Sequence, residues 1–121
     1  MSATKTLRAA DLDQFTGSEH WYRHPLAAHI TYTDGAQHVA EAGGAYWLLD
    51  AIVSHQCVHS VRNEPFQVWT LKVADNRSAM LCCKDGDGYV VAVQKLEFTD
   101  FPLPEIELWL HNDVIFLPSE Y

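Results

Sequence analysis

With 121 residues, 48% of them hydrophobic, the chain has the size of one domain, which buries roughly two-thirds of the surface exposed when unfolded and leaves no room for a second core. Four Trp, five Tyr and five Phe exclude a disordered chain. The net charge is −8, and from Leu96 onward Glu97, Asp100, Glu105, Glu107, Asp113 and Glu120 occur with no Lys or Arg, which speaks against direct DNA or RNA binding, where basic side chains must displace condensed counterions.

The N-terminal stretch "MSATKTLRAADLDQF" has no apolar run after its basic residues, and the longest apolar runs elsewhere, such as 45–49 and 89–93, are too short for a signal peptide or a membrane span. Leu12 and Phe15 at helical spacing, with Gly17 just beyond, predict a short first helix within 7–15. Ser18 then caps a turn from Glu19 to Arg23 that Pro25 ends. The β-branched and aromatic residues of "AAHITYT", 27–33, predict a short strand. Asp34 followed by Gln37 reads as a capping-box start for a helix with Ala36, Val39 and Ala40 on its apolar side, interrupted at Gly43 and Gly44. "AYWLLDAIVSHQ" is apolar around most of its circumference, with Asp50 its only charge, and predicts a helix through the centre of the domain.

After Pro65 the rhythm changes to short runs rich in Val, Phe, Trp and Thr, which predict strands near 66–74, 78–84, 89–98, 106–111 and 114–117. "DNR", "DGDG" and "HND" supply hairpin residues, and the prolines of "FPLP" keep 101–104 out of any ladder. Cys57, Cys82 and Cys83 are odd in number, and the last two point to opposite faces of a strand, so they suit a reducing cytosol better than a disulfide framework. The expected fold is one α+β domain over 1–121. It has short N-terminal helices and a central apolar helix (7–57) packed on a four- to five-stranded antiparallel β-meander (66–118).

Two segments crowd functional groups together. In "SEHWYRH" the pair His20 and His24 stands four apart, but without the internal glutamate spacing of a zinc protease, and adjacency of Ser18, Glu19 and His20 is no evidence for a triad. Trp21 and Tyr22 are expected to pin a bend, with Trp21, Tyr22, His24 and Asp34 as a candidate binding surface joined by the acidic Glu105, Glu107 and Glu120. In "HQCVH", His55, Cys57 and His59 would share one side of an extended backbone and suit zinc or copper, whereas helical geometry would spread successive members by about 200°. Following a strong helix, these histidines are expected at or past its C-terminus, and no fourth ligand is evident. "DGDG" lacks the later ligands of a calcium loop, and "AGGAYW" lacks the spacing of a dinucleotide fingerprint.

The blocks "DLDQFTGSEHWYRHPL", "YTDGAQHVAEAGGAYWLLDAI", "EPFQVWTLKV", "EFTDFPLPEIELW" and "LPSEY" together resemble a family of small bacterial proteins of unknown function found in chromosomes, plasmids and phage-related regions. The resemblance implies a bacterial, cytosolic protein linked to mobile elements, with a poorly defined connection over 54–64, and it carries no catalytic residue across. The leading expectation is a non-enzymatic interaction domain without a cofactor, whose partner is a basic protein because opposite fields steer association. The alternatives are an acidic, phage-linked inhibitor occupying a basic nucleic-acid groove, and a small-molecule or metal-binding protein built on His20, His24 and Asp34 or on 55–59.

Overall fold

The computed structural model describes residues 7–12 and 14–121; the start of the chain before Leu7, and Asp13 in the expected first helix, lie outside the described residues. Helix α1 is Ala9–Leu12, strands β1 and β2 are Trp21–Arg23 and Thr31–Thr33, and helices α2, α3 and α4 are Asp34–Ala42, Tyr46–His55 and His59–Arg62. Strands β3 (Phe66–Val73), β4 (Ala79–Lys84), β5 (Val90–Leu96), β6 (Glu105–His111) and β7 (Val114–Phe116) follow, then a 3-10 turn at Pro118–Glu120. Among the described residues no helix is long and apolar enough to cross a membrane.

The strands form one mixed sheet in the order β1-β2-β7-β6-β3-β4-β5, in which only the β2–β7 pair is parallel. Alternation assigns the two faces: Gln67, Trp69 and Leu71 of β3, Ala79, Leu81 and Cys83 of β4, and Ile106, Leu108 and Leu110 of β6 are buried. The apolar ones among them form one core with Ala36, Val39 and Ala40 of α2 and Leu48, Leu49, Ile52 and Val53 of α3. The β6–β7 hairpin turns through Asn112 and Asp113, both at positive φ (53° and 62°), which these two residue types tolerate best.

Several expectations are corrected. The sheet is not a four- to five-stranded antiparallel meander, because β6 returns beside β3 instead of β5, and β1 and β2 extend the sheet beyond β7. The return is fixed at the 101–104 corner: Phe101 is fully buried, Val73 N–H donates to Pro104 O (2.8 Å), and the Arg77 guanidinium donates to Thr99 O and Phe101 O (3.1 and 2.6 Å). The 19–23 segment is not a helical turn but strand β1. Ser18 does cap a helix, yet it is α2, accepting from Asp34 N–H at 2.9 Å, while Thr33 accepts from Ala36 N–H as the N-cap.

Helix α3 is not central either. It lies across one sheet face with Tyr46, Asp50 and Ser54 outward, and polar handles hold that side: the Tyr46 hydroxyl donates to Glu41 (2.9 Å), and Asp50 meets His24. The 54–64 connection is built, not undefined. Val61 of α4 is buried, and the Gln67 side-chain amide donates to Val61 O and Glu64 O (2.8 and 3.2 Å) while exchanging hydrogen bonds with Gln56.

The C-terminal turn closes on the start of α2. Glu120 accepts from the Thr33 hydroxyl (2.6 Å), Gly35 N–H (3.1 Å) and Leu117 N–H (2.8 Å). A Cβ at Gly35 would stand 2.5 Å from a Glu120 carboxylate oxygen and 2.6 Å from Leu117 Cδ1. Gly35→Ala is therefore expected to cost about 1–3 kcal/mol by overpacking, read from urea unfolding midpoints at unchanged m-value.

Candidate functional site

The crowded SEHWYRH segment is divided between two sides of the sheet. Pairing of Trp21 with Thr33 and of Tyr22 with Tyr32 sets Trp21 and Arg23 toward the face away from the helices, while Tyr22 stacks on Tyr32 with ring centroids 5.5 Å apart. His24, 2% exposed, accepts from Leu26 N–H at Nδ1 (3.0 Å), so its Nε2 carries the proton donated to Asp50 (2.9 Å). This pair ties the β1–β2 loop to α3. His20 instead lies 3.5 Å from Asp34, so the two imidazoles serve different carboxylates and do not converge.

Asp34 organises β1. Its carboxylate accepts from Glu19 N–H (3.1 Å), His20 N–H (3.3 Å) and the Tyr22 hydroxyl (3.2 Å). Desolvation opposes its charge, but these donors and the neighbouring His20 outweigh it and hold the carboxyl below the ordinary range; desolvation and the same bond raise the Tyr22 phenol.

The remaining sequence-derived residues separate in space. Glu120 is the helix-binding carboxylate described above, and Glu107 accepts from the Trp109 indole at 2.6 Å. Glu105 and Glu107 line a groove of about 250 Å³ with Lys72, Met80 and Lys84 on the uncovered face. His55 closes α3, packs on Trp69 (5.2 Å between centroids) and bonds Gln94 at 2.8 Å. Cys57 is exposed in the turn, and His59 opens α4, engaging Asn63 (2.8 Å) and Arg62 (3.2 Å). The extended alternation that a shared metal needs is not formed, and among the described residues no group of three or more His, Cys, Asp or Glu could hold one. Burial pushes the Cys83 thiol up to about 12, which keeps it protonated and poorly nucleophilic at neutral pH.

Two concavities were not visible in the sequence. A cleft of about 720 Å³ opens between the end of α3, α4, the β1–β2 loop and the β6–β7 turn, lined by Val53, Cys57, Arg62, Glu64, Leu110 and His111 among others. Its walls come from four separate segments, so no local pattern announces it. A second recess, about 290 Å³, lies on the uncovered face between Trp21, Phe116, Tyr121 and Glu120. Only the aromatic content of "HWY" and of the C-terminus hinted at it.

The Asp34 geometry predicts a pH dependence. A carboxyl depressed in the folded state adds stability above its unfolded value, near 3.8, and that stability is lost as pH falls through the lower folded value. Wild type should thus exceed Asp34→Asn in stability at neutral pH, with the gap closing as unfolding curves are recorded toward pH 2.

Comparison with known proteins agrees with a protein whose site must be read from its own geometry. No curated protein and no solved structure matches the chain. A family model described as a family of unknown function (DUF6876) matches residues 6–121. On that span, the chain belongs to the DUF6876 family.

Proposed function

We propose that this domain is a non-enzymatic accessory protein of the bacterial cytoplasm that works by binding a second protein through the uncovered face of its sheet. The observation that carries this reading is the one-sided sheet itself. α2 and α3 pack on one face, while the other carries Phe66, Val68 and Trp109, with Phe116 buried beneath Tyr121, at one end and Met80, Cys82 and Val93 toward β5. Val93 is 53% exposed, and apolar side chains gathered beside charged ones are the usual composition of a protein interface, with Trp and Tyr as its anchors. β5 adds a seven-residue edge with its outer backbone groups unpaired in the sheet.

Charge refines the partner. Lys72 and Lys84 share this face with Glu105 and Glu107, and Lys95 stands opposite Met80, so the face carries both signs. An inhibitor imitating nucleic acid needs one sign over a whole face, and that version gains no support. A basic partner segment is matched by the opposite end, where Glu120 lies among rings and Lys is absent from the recess.

Pull-down from the native host should recover a saturable protein partner. Val93→Glu should weaken that binding at least about tenfold without lowering the unfolding midpoint. Undiminished capture by the variant would count against the uncovered face.

A second reading rests on the 720 Å³ cleft, whose size lies within the range of about 300–1,000 Å³ typical of small-molecule sites. It combines apolar walls at Val53 and Leu110 with Arg62, Glu64 and the exposed Cys57 thiol. If a metabolite fills it, a host extract should raise the unfolding midpoint and slow alkylation of Cys57; an unchanged alkylation rate would remove this reading.

A further inference from the structure

We infer that the recess between Trp21, Phe116, Tyr121 and Glu120 receives an alkylammonium group, presented as a lysine side chain by the protein partner. This rests on the interaction reading above and names the group it recognises. The recess follows from the strand register. Trp21 pairs with Thr33, Phe116 pairs with Trp109, and Thr33 lies level with Phe116, one step beyond the Tyr32–Ile115 pair. A row of side chains therefore crosses four strands as Trp21, Thr33, Phe116 and Trp109. Threonine is the small member between large rings, and the gap it leaves is the recess.

Its chemistry is that of a cation site. Tyr121 stacks on Phe116 (5.9 Å between centroids, 12° between planes) and meets Trp109 edge-on at 5.5 Å, so one wall is a fixed aromatic block. Trp21 forms the opposite wall at 57% exposure, and Tyr121 is 77% exposed, leaving both ring surfaces free to be covered. Ring faces attract a desolvating ammonium group electrostatically. Glu120 adds a full negative charge at the base, and no Lys or Arg pairs with it among the described residues.

The hydrogen bonds of Glu120 narrow the ligand. Its oxygens already accept from Thr33, Gly35 and Leu117, so it offers charge more readily than vacant lone pairs. A hydrated divalent cation wants several free oxygens and finds one occupied carboxylate among rings. An anion would meet the Glu120 charge. An alkylammonium needs chiefly apolar walls and a nearby negative charge, and both are present. His111 also lines the recess, its ring held by an Nδ1–H donated to Pro65 O (2.9 Å). Arg23 follows Trp21 by two positions on the same side of β1 and is the nearby cation that opposes the ligand.

The test titrates the full chain with Nα-acetyl-lysine amide, the neutral Nα-acetyl-norleucine amide and tetramethylammonium, followed by the Trp21 indole N–H resonance in NMR. The expected result is a saturable shift with the lysine amide and none with the norleucine amide. Trp21→Ala should weaken lysine binding at least about fivefold and Arg23→Gln should strengthen it, both at an unchanged unfolding midpoint. Absence of a shift, an equal response to norleucine, or tighter binding of tetramethylammonium than of the lysine amide would overturn the inference. Undiminished capture of the partner by Val93→Glu with the lysine shift intact would count only against the part of the uncovered face around Val93. Retention of the partner by Trp21→Ala would count only against the recess.

Discussion

The structure depends on one carboxylate at the start of a helix. The first N–H groups of a helix have no partner within it, and the helix dipole favours negative charge there. In this chain Thr33 caps Ala36 through its hydroxyl oxygen and donates the hydroxyl proton to Glu120, which also accepts from Gly35. Residues that stand 85 and 87 positions apart in the sequence are thereby clasped. The lack of a side chain at Gly35 lets the carboxylate approach, and Leu117 is buried beside it.

That clasp has consequences for the sheet and for its surface. It holds β2, three residues long, at the level of β7, with Thr31 N–H donating to Asp113 O (2.9 Å) at the entry to the parallel pair. β1 then adds to β2, its approach held by the hydrogen bonds that Asp34 accepts from Glu19 and His20 N–H, completing the order β1-β2-β7-β6. The same turn lays Tyr121 against Phe66, Trp109 and Phe116, so the uncovered face gains an aromatic end instead of bare strands. Core formation and surface character thus share a cause: the helices cover Trp69, Leu71, Leu81, Leu108 and Ile115, and what alternates with these residues remains outside.

The later strands were legible because each of β3 to β6 runs long enough for period-two alternation and is bounded by turn residues. Their order was not, since the pairing of β6 with β3 depends on Phe101 and Arg77 at a corner with no periodicity. The β-branched and aromatic run of 27–33 announced β2, of which only Thr31–Thr33 is extended, but β1 is too short to show a pattern, and the donors that hold it extended point to Asp34, a residue outside the segment. Tyr46 and Trp47 made α3 look apolar all round, although tyrosine can present its hydroxyl outward, as Tyr46 does. Of the candidate site, Trp21 and Glu120 were both singled out in the sequence, but for separate reasons. Their meeting in one recess required the fold.

The clasp is tested most directly by a double-mutant cycle between Thr33→Val and Glu120→Ala, measured by urea unfolding. Residues sharing a hydrogen bond in one network are expected to be coupled by about 1 kcal/mol or more, with the second substitution costing much less once the first is present. Strictly additive losses would show that the start of α2 and the C-terminal turn are stabilised independently, and would contradict the dependence of the sheet on Glu120.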